Sequence, residues 1–296
     1  MAGETSESAR WIDLHLHSSA SDGLLAPAEL MARAAERHLT AVALTDHDTT
    51  AGLAEAAAAA QAHGVDFVPG VEFSVTYDPG VMHLLGYYFN AEDGDLAAAC
   101  QRLVEAREVR NRKIVDRLVE FGCDISYQRV RQIACGEAVG RPHIARVLIE
   151  SRCVRTMKQA FTKYLAKGEE AYVSREKLSA AEAVRVVRGA GGVVALAHPT
   201  QLRCRTLAEL NQVVAGLVDL GVEAIEVYHP DHRPEDVRVC MDLARRYGLL
   251  MTGGSDFHGP LDQSHRRVGF SSNRIPYEWL TELQKCVAGR RAGRSG

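Results

Sequence analysis

The sequence lacks a hydrophobic run long enough to cross a bilayer. A transmembrane helix needs about 20 consecutive apolar residues, and no apolar segment in this chain approaches that length. The stretch from Met1 to Arg10 is polar and acidic, whereas a secretory signal peptide needs an apolar core near its start. We therefore expect a cytoplasmic protein with no membrane partner.

Paired cysteines are also absent. The seven cysteines are scattered, odd in number and never spaced as Cys-x-x-Cys. A thiolate zinc site or a disulfide framework would need regular, paired spacing. We expect these residues to be small, buried, apolar side chains; they are Cys100, Cys123, Cys135, Cys153, Cys204, Cys240 and Cys286.

A strong net charge is missing, although the charges are unevenly placed. The net charge of −3 argues against a general nucleic-acid coat protein and against double-stranded DNA as a partner. Residues 101–177 carry 17 Lys and Arg against 10 Asp and Glu, which leaves 18 against 28 elsewhere. An acidic body attracts cations and a basic segment attracts a phosphate-bearing ligand. The alternative, an ordinary solvated helical face, stays open.

Short apolar runs alternate with Ala-rich amphipathic segments in both halves of the chain. This alternation predicts repeated βα units and therefore a parallel α/β barrel. The predicted strands are 11–15, 41–45, 65–71, 81–86, 193–197, 224–228 and 249–253, and the predicted helices are 27–37, 51–63, 180–190, 207–220 and 234–247.

Between these halves the pattern becomes purely helical. Apolar residues recur at helical spacing, as in Leu96, Leu103, Ile114, Leu118 and Phe121. We expect a barrel domain formed by residues 1–92 and 178–296, with a helical cap inserted as residues 93–177. The tail, residues 290–296, is expected to be disordered.

Metal-binding residue types follow the predicted strands. His15 and His17, two apart in an extended segment, project to the same side and can hold one ion together. Asp22 follows in a Ser-Asp-Gly turn that can aim a carboxylate back at them. Other strand ends carry Asp46, His47, Glu72, His83, His198, Asp256 and His258. Barrel enzymes place their chemistry at this end of their strands.

Each of these residues alone is more often a core or surface residue than a ligand. Their recurrence at successive strand ends changes that balance, because so many buried ionisable groups are costly unless cations neutralise them. His and carboxylate ligands without thiolate fit Mn, Fe or Zn better than Mg or Ca. Water bound by clustered divalent ions loses a proton near neutral pH and becomes a nucleophile, so no side-chain nucleophile is required.

Six motifs together resemble the polymerase and histidinol phosphatase (PHP) superfamily: D-L-H-L-H-S, S-D-G, L-T-D-H-D-T, P-G-V-E, A-H-P and G-S-D-F-H. The resemblance implies a distorted seven-stranded (β/α) PHP barrel with a helical insertion. It also implies that His15, His17, Glu72 and Asp256 hold one metal, that Glu72, His83 and His198 hold a second, and that Asp22, His47 and His258 hold a third. These nine residues are expected to be the catalytic centre, with Mn as the first candidate metal and Asp46 orienting a ligand.

The helical insertion is similar to one bacterial subfamily, which includes 3′,5′-nucleoside bisphosphate phosphatases and ribonuclease AM. The segments that carry this likeness are G-R-P-H-I-A-R at 140–146 and F-T-K-Y-L-A-K-G at 161–168. Arg141 can form a forked contact with a phosphate, and His143 adds a donor at a helix start. Arg175, Lys177 and His229 are further candidate substrate-binding residues.

This likeness implies removal of the 3′-phosphate from 3′,5′-bisphosphonucleosides, with a small nucleotide as the partner and no obligate protein partner. Alternatives are 5′-to-3′ exoribonuclease activity on short RNA, histidinol-phosphate hydrolysis, and a non-catalytic PHP module. One departure affects the substrate: relatives often carry an arginine where this chain has Gln201, and Arg203 or Arg205 is the candidate replacement.

Overall fold

The structure is a computed structural model that describes residues 10–134, 139–259 and 274–294. Its strands are β1 Trp11–Asp13, β2 Ala41–Leu44, β3 Asp66–Val75, β4 Met82–Tyr87, β5 Val193–Leu196, β6 Ala224–Tyr228, β7 Leu250–Gly253 and β8 Ile275–Pro276. Its α-helices are α1 Pro27–Glu36, α2 Leu53–His63, α3 Gly94–Glu120, α4 Tyr127–Ala134, α5 Arg141–Glu150, α6 Met157–Ala160, α7 Ala180–Gly189, α8 Leu207–Leu220, α9 Pro234–Tyr247 and α10 Tyr277–Arg294.

Local sequence signals explain where these elements begin and end. β2 and β5 are short continuous apolar runs that are buried throughout, as expected of strands covered on both faces. Helix α3 begins after Asp93, whose side chain accepts hydrogen bonds from two backbone N–H groups of the first turn. Helix α2 ends at Gly64, which adopts the left-handed conformation (φ 68°) that glycine tolerates best.

The strands form one sheet in the order β7-β6-β5-β4-β3-β2-β1-β8. The sheet closes because the chain after β7 returns beside β1: Leu14 N donates to Gly253 O at 3.0 Å, and His17 N donates to Phe257 O at 3.0 Å. The predicted α/β barrel is thereby confirmed.

The βα alternation alone had predicted a barrel of parallel strands. The barrel is instead mixed. Strand β4 runs antiparallel to both of its neighbours, β3 and β5. The connection between β3 and β4 is too short for a crossover helix, so the chain turns back as a hairpin. The start of β4 therefore lies at the edge where the parallel strands end.

The described part of the segment 93–177 is mainly helical as far as residue 165, and most of it packs on a core of its own. That core contains apolar residues from Ile114 to Ala171, whereas Leu96 and Leu103, in the first half of α3, belong to the barrel core. One helix thus contributes to both cores. Phe121, predicted on the apolar face of this helix, caps its end and is 47% exposed. The division into two domains stays a prediction.

Three other expectations can be compared with the structure. The predicted disordered tail is wrong for residues 290–294, because α10 continues to Arg294 and Arg290 forms an ion pair with Glu223. The cysteines are buried (Cys100, Cys123, Cys240) or partly buried (Cys153, Cys204, Cys286), and Cys135 lies outside the described residues. No described helix has both the length and the apolar character that a membrane span requires.

Candidate metal centre and phosphate-binding cleft

The strand order brings the predicted ligands together at one edge of the barrel. His15 and His17 follow β1, Glu72 lies in β3, and His198 follows β5. His83 lies at the start of β4 instead of at a strand's exit. Because β4 is antiparallel, that start is at the same edge, and His83 pairs with Ser74, two residues beyond Glu72, on the neighbouring strand.

Glu72 is at the centre of the cluster and is completely buried. Its Oε2 atom lies 2.9 Å from His47 Nδ1, 3.2 Å from His17 Nε2 and 3.4 Å from His15 Nε2. Its Oε1 atom lies 2.8 Å from His83 Nδ1 and 2.9 Å from His198 Nε2. One carboxylate therefore faces five imidazoles, the arrangement expected of a residue shared between metal ions.

Two further carboxylates complete the cluster. Asp256 Oδ1 lies 3.0 Å from His17 Nε2 and 3.3 Å from His15 Nε2. Asp22 Oδ1 lies 3.3 Å from His258 Nε2. All nine predicted ligands thus lie in one connected group.

Candidate donor atoms fall into three sets, and within each set they lie within 4.8 Å of one another. The sets are His15, His17, Glu72 and Asp256; His17, Asp22, His47 and His258; and His47, Glu72 and His83. The first set matches the predicted first site. The second adds His17 to the predicted third site. The last set contains His47 where the predicted second site has His198. His198 lies next to this set, with its Nε2 atom 3.3 Å from His83 Nδ1.

Many polar atoms in this cluster are buried without a hydrogen-bond partner among the described residues. They are His15 Nε2, both ring nitrogens of His17, His47 Nδ1, Glu72 Oε2 and His198 Nδ1. Several are close to one another but badly aligned, which indicates lone pairs directed at common points between the side chains. Oxygen and imidazole donors in this arrangement fit divalent ions such as Mn, Fe or Zn.

The carboxylates and imidazoles of the cluster stabilise each other's charged forms against the effect of burial. Burial would raise the pKa of Glu72, but His47, His83 and His15 bring this pKa well below its usual value. Burial likewise opposes the charged form of His258, yet Asp22 and Asp256 raise the pKa of His258 to about 10. The imidazoles therefore balance the carboxylates, a role that divalent ions fill when bound.

Asp46 forms no hydrogen bond with a candidate ligand among the residues that the structure describes. It accepts hydrogen bonds from Ser18 N (2.8 Å), Ser18 Oγ (2.6 Å) and Ser21 Oγ (2.5 Å). It thus holds the loop that carries Asp22, so its influence on the ligands passes through the backbone.

His229 contacts the cluster through Asp256. Its Nδ1 atom accepts a hydrogen bond from Asp231 N (3.1 Å), so the neutral ring carries its proton on Nε2, which lies 3.2 Å from Asp256 Oδ2. This contact orients Asp256, whose other oxygen faces the histidines. His229 is not among the residues that line the cleft described next.

A cleft of about 660 Å³ opens beside the cluster and separates it from the cap. Asp22, His47 and His83 line one wall. The remaining lining includes seven cationic residues: Arg107, Arg110, Arg141, Lys167, Arg175, Lys177 and Arg203. Gln201 also lines the cleft, and so does Arg203, whereas Arg205 does not. Of the two candidate replacements for the arginine that relatives carry at position 201, Arg203 is therefore the one that lies in the cleft.

Three of the predicted substrate-binding residues line this cleft. Arg141 begins α5 and donates from Nη1 to Leu165 O at 2.9 Å. Arg175 donates from Nη2 to Asp48 Oδ2 at 2.6 Å. Burial, with Arg175 nearby, lowers the pKa of Lys177 to about 8. His143 is fully buried and does not line the cleft, because its Nδ1 accepts from Gly140 N (2.9 Å) and caps α5.

Four residues that support the site were not predicted from the sequence: Asp48, Arg107, Arg110 and Glu226. Asp48 is buried and binds both Arg107 (2.5 Å) and Arg175 (2.6 Å), and these two cations help to hold its pKa below the usual value against the effect of burial. Arg110 lies beside them and has only 6% of its surface exposed. Glu226 is completely buried next to His15. The visible sequence signals were charged residues inside apolar patterns: Glu226 in the strand A-I-E-V-Y, and Arg107 and Arg110 between Leu103 and Ile114.

Comparison with known proteins agrees with this geometry. The PHP domain family matches residues 13–173. A 3′,5′-nucleoside bisphosphate phosphatase from Chromobacterium violaceum is 38% identical over 267 residues, covering 90% of this chain and 93% of that protein. The 5′-3′ exoribonuclease Rnm of Salmonella typhimurium is 34% identical over 250 residues, covering 84% and 85%. A metal-dependent phosphoesterase structure from Bifidobacterium adolescentis superposes with a TM-score of 0.85 at 29% identity, covering 95% and 97%.

Proposed function

Because this chain belongs to the PHP domain family and is a hydrolase of phosphate esters, we propose that it removes the 3′-phosphate from 3′,5′-bisphosphonucleosides. 3′-Phosphoadenosine 5′-phosphate is the model substrate. The reaction adds water across the 3′ phosphoester bond and yields a nucleoside 5′-monophosphate and inorganic phosphate. The similarity to the Chromobacterium violaceum phosphatase over nearly the whole of both chains supports this choice.

One observation carries the proposal: the cleft has candidate metal ligands on one wall and an excess of cations on the other. A bisphosphonucleoside carries two phosphates, one for each wall. The 3′-phosphate would lie at the metal centre, and the 5′-phosphate would lie against the cap. A substrate with a single phosphate would leave one of these two surfaces without a charge partner.

The cap cations are set to bind an added anion. Asp48 is one carboxylate shared by Arg107 and Arg175. Within the described part of the chain, Arg110 and Lys177 form no ion pair of their own, although Arg110 is almost completely buried. An unpaired buried cation is costly, and a bound phosphate offsets that cost. Guanidinium groups also match phosphate geometry with paired hydrogen bonds.

Aromatic side chains in the same cleft offer a surface for the nucleoside. Tyr77, Phe161 and Tyr172 all line it. The Arg141 guanidinium lies 5.9 Å from the ring centroids of both Phe161 and Tyr172, which places apolar ring surface directly beside a phosphate-binding group. Stacking on aromatic faces tolerates any base, so we propose recognition of the nucleotide without strict base preference.

The nine clustered side chains would hold two or three divalent ions, with Mn proposed as the native metal. Bound ions supply the nucleophile by lowering the pKa of water, and they stabilise negative charge on the phosphate. The protein's own part is to fix donor positions. Glu72 spans the sets of histidines, Asp46 holds the Asp22 loop, and His229 holds Asp256.

Cleavage of short RNA from its 5′ end is the second candidate. The similarity to a Salmonella typhimurium 5′-3′ exoribonuclease over most of both chains favours it, and it would use the same cluster and the same cations. Both reactions would add water at phosphorus, break its bond to the 3′ oxygen and release a nucleoside 5′-monophosphate. They differ in the other product, which is inorganic phosphate from the bisphosphonucleoside and the shortened 5′-phosphorylated chain from RNA. A small nucleotide or a short RNA is thus the proposed partner. A cytoplasmic location stays a prediction.

Phosphate release from 3′-phosphoadenosine 5′-phosphate by the Mn-loaded protein tests the proposal. A 5′-phosphorylated RNA oligomer and histidinol phosphate serve as competing substrates. Asp256→Asn should abolish release, whereas Asp242→Asn, in the exposed part of α9, should leave it unchanged. If the RNA is shortened faster than phosphate is released from the bisphosphonucleoside, the function is that of an exoribonuclease. Inertness toward all three substrates would refute the proposed substrate class.

A further inference from the structure

Glu226 is a buried carboxylate outside the nine candidate ligands. It lies in the middle of β6, where its neighbours Ile225 and Val227 are apolar core residues, and none of its surface is exposed. A charged group in such a position needs a specific set of partners, because burial without them is costly.

The two oxygens of Glu226 bind two candidate metal ligands. Oε1 lies 2.9 Å from His15 Nδ1, and Oε2 accepts a hydrogen bond from the backbone N–H of His198 at 2.7 Å. His15 follows β1 and His198 follows β5, so one side chain joins residues that are 183 positions apart in the sequence. Both contacts require the carboxylate to act as an acceptor.

The contact with His15 fixes which ring nitrogen carries the proton. A carboxylate can only accept, so His15 Nδ1 holds a hydrogen and donates it to Glu226. The other nitrogen, Nε2, is then left with a free lone pair. That atom is buried, has no hydrogen-bond partner in the described part of the chain, and lies between Glu72 Oε2 (3.4 Å) and Asp256 Oδ1 (3.3 Å).

The contact with His198 holds an unusual backbone conformation. His198 has φ 26° and ψ 67°, a region that residues with a side chain rarely adopt, and Pro199 follows it directly. Its N–H would be buried at this turn, and Glu226 provides the acceptor. This backbone conformation directs the ring so that Nε2 lies 2.9 Å from Glu72 Oε1.

We propose that Glu226 is a positioning residue that prepares His15 and His198 together for metal binding. This inference rests on the metal centre of the proposed function. Carboxylates that orient metal-binding histidines in this way typically change metal affinity about 10- to 100-fold when they are replaced. A purely structural role for Glu226 would instead affect folding and leave metal affinity unchanged.

Glu226→Gln is the sharpest test, because it keeps the size and shape of the side chain. The amide has one accepting and one donating end, whereas the site requires two acceptors. The backbone N–H of His198 cannot change its role, so the amide oxygen must face it and the NH₂ group must face His15. His15 then has to move its proton to Nε2, where it blocks the lone pair that faces the cluster.

The measurement is Mn titration of the metal-free proteins by calorimetry, with thermal unfolding as a check of folding. We expect E226Q to bind Mn about 10- to 100-fold more weakly than wild type. Glu223→Gln is the matched control, since Glu223 lies just before the same strand and pairs with Arg290, away from the cluster. Its Mn affinity should equal that of wild type.

A double-mutant cycle with His15→Ala tests whether the effect passes through His15. In that background the Gln amide oxygen still accepts from His198, so E226Q should cause no further loss of Mn affinity. Glu226→Asp, one methylene too short to reach both histidines, is a second variant with the same expected loss as E226Q in the wild-type background, should E226Q not fold.

Wild-type Mn affinity in E226Q, or an equal loss in the presence and absence of His15, would overturn the inference. The wild-type protein reports separately on the proposed function. Mn binding by wild type without release of phosphate from the bisphosphonucleoside would refute the substrate and leave the role of Glu226 standing. No Mn binding by wild type would overturn both.

Discussion

Replacement of Arg110 by methionine should make the protein more stable and a poorer catalyst at low substrate concentration. Arg110 is 6% exposed, lines the cleft beside the candidate metal centre, and forms no ion pair among the residues that the structure describes. Burial and the neighbouring Arg107, Arg141 and Arg175 bring its pKa well below the usual value for a guanidinium. The charge is therefore held in place against an electrostatic cost.

The size of both effects follows from that environment. Replacing buried charge with an apolar side chain of similar volume typically stabilises a protein by about 1–4 kcal/mol. Methionine retains most of the arginine stem, so little packing is lost. For a chain of 296 residues we expect the melting temperature to rise by roughly 1.6 °C per kcal/mol. The lost phosphate contact is a charge-assisted hydrogen bond worth about 1.5–3 kcal/mol, which raises KM roughly 10- to 150-fold.

Thermal unfolding of the metal-loaded proteins and steady-state kinetics with 3′-phosphoadenosine 5′-phosphate measure the two effects separately. Inorganic phosphate should raise the melting temperature of wild type more than that of R110M, because ligand binding to the folded state adds stability. Arg112→Met, two residues along the same helix, is the matched control: Arg112 is exposed and pairs with Glu108. A lower melting temperature together with an unchanged KM in R110M would refute the reasoning.

Three further changes test other parts of the site. Glu72→Gln should lower the number of Mn ions bound, measured by elemental analysis, and reduce turnover at least about 100-fold, since Glu72 faces five histidines; full Mn content would contradict this. Burial lowers the pKa of Lys177 to about 8, so its charge is present below that pH and lost above it. KM should therefore rise between about pH 7 and pH 9 in wild type but stay constant in Lys177→Arg. The same dependence of KM on pH in both proteins would exclude Lys177 as a phosphate contact. Asp48→Asn leaves Arg107 and Arg175 without their carboxylate and should lower the free energy of unfolding by roughly 3–5 kcal/mol in urea titrations. Wild-type stability of this variant would show that the charge of Asp48 does not stabilise the two arginines.

Most of the candidate ligands could be predicted from the sequence because they lie at or just after the ends of short apolar runs. Parallel strands end at one edge of a barrel, so residues such as His15, Glu72 and Asp256 could be expected to meet without any knowledge of their distances. His83 was placed correctly near the others, but for a different reason: it starts an antiparallel strand. The direction of β4 depends on a turn between β3 and β4, which hydrophobic periodicity does not report.

The supporting residues were harder to find because their function depends on partners far away in sequence. Asp48 acquires its role only when α3 and the end of the cap bring Arg107 and Arg175 to it. Glu226 has the same character, since its partners follow two other strands. Likewise, Arg290 seemed to belong to a disordered basic tail, and only the folded barrel supplies Glu223 as its partner. Long-range pairing of this kind leaves no periodic signal in a single sequence.

Helix α3 sets a fixed length scale for the site. Its 27 residues extend about 40 Å without an internal proline, with the first half in the barrel core and the second half in the core of the cap. Arg107 and Arg110 lie near its middle, where it passes the cleft. Because a continuous helix bends little, the cations it carries keep a nearly constant distance from the barrel that bears Glu72. Under the proposed function, this helix therefore fixes the separation between the two phosphates that the cleft can hold.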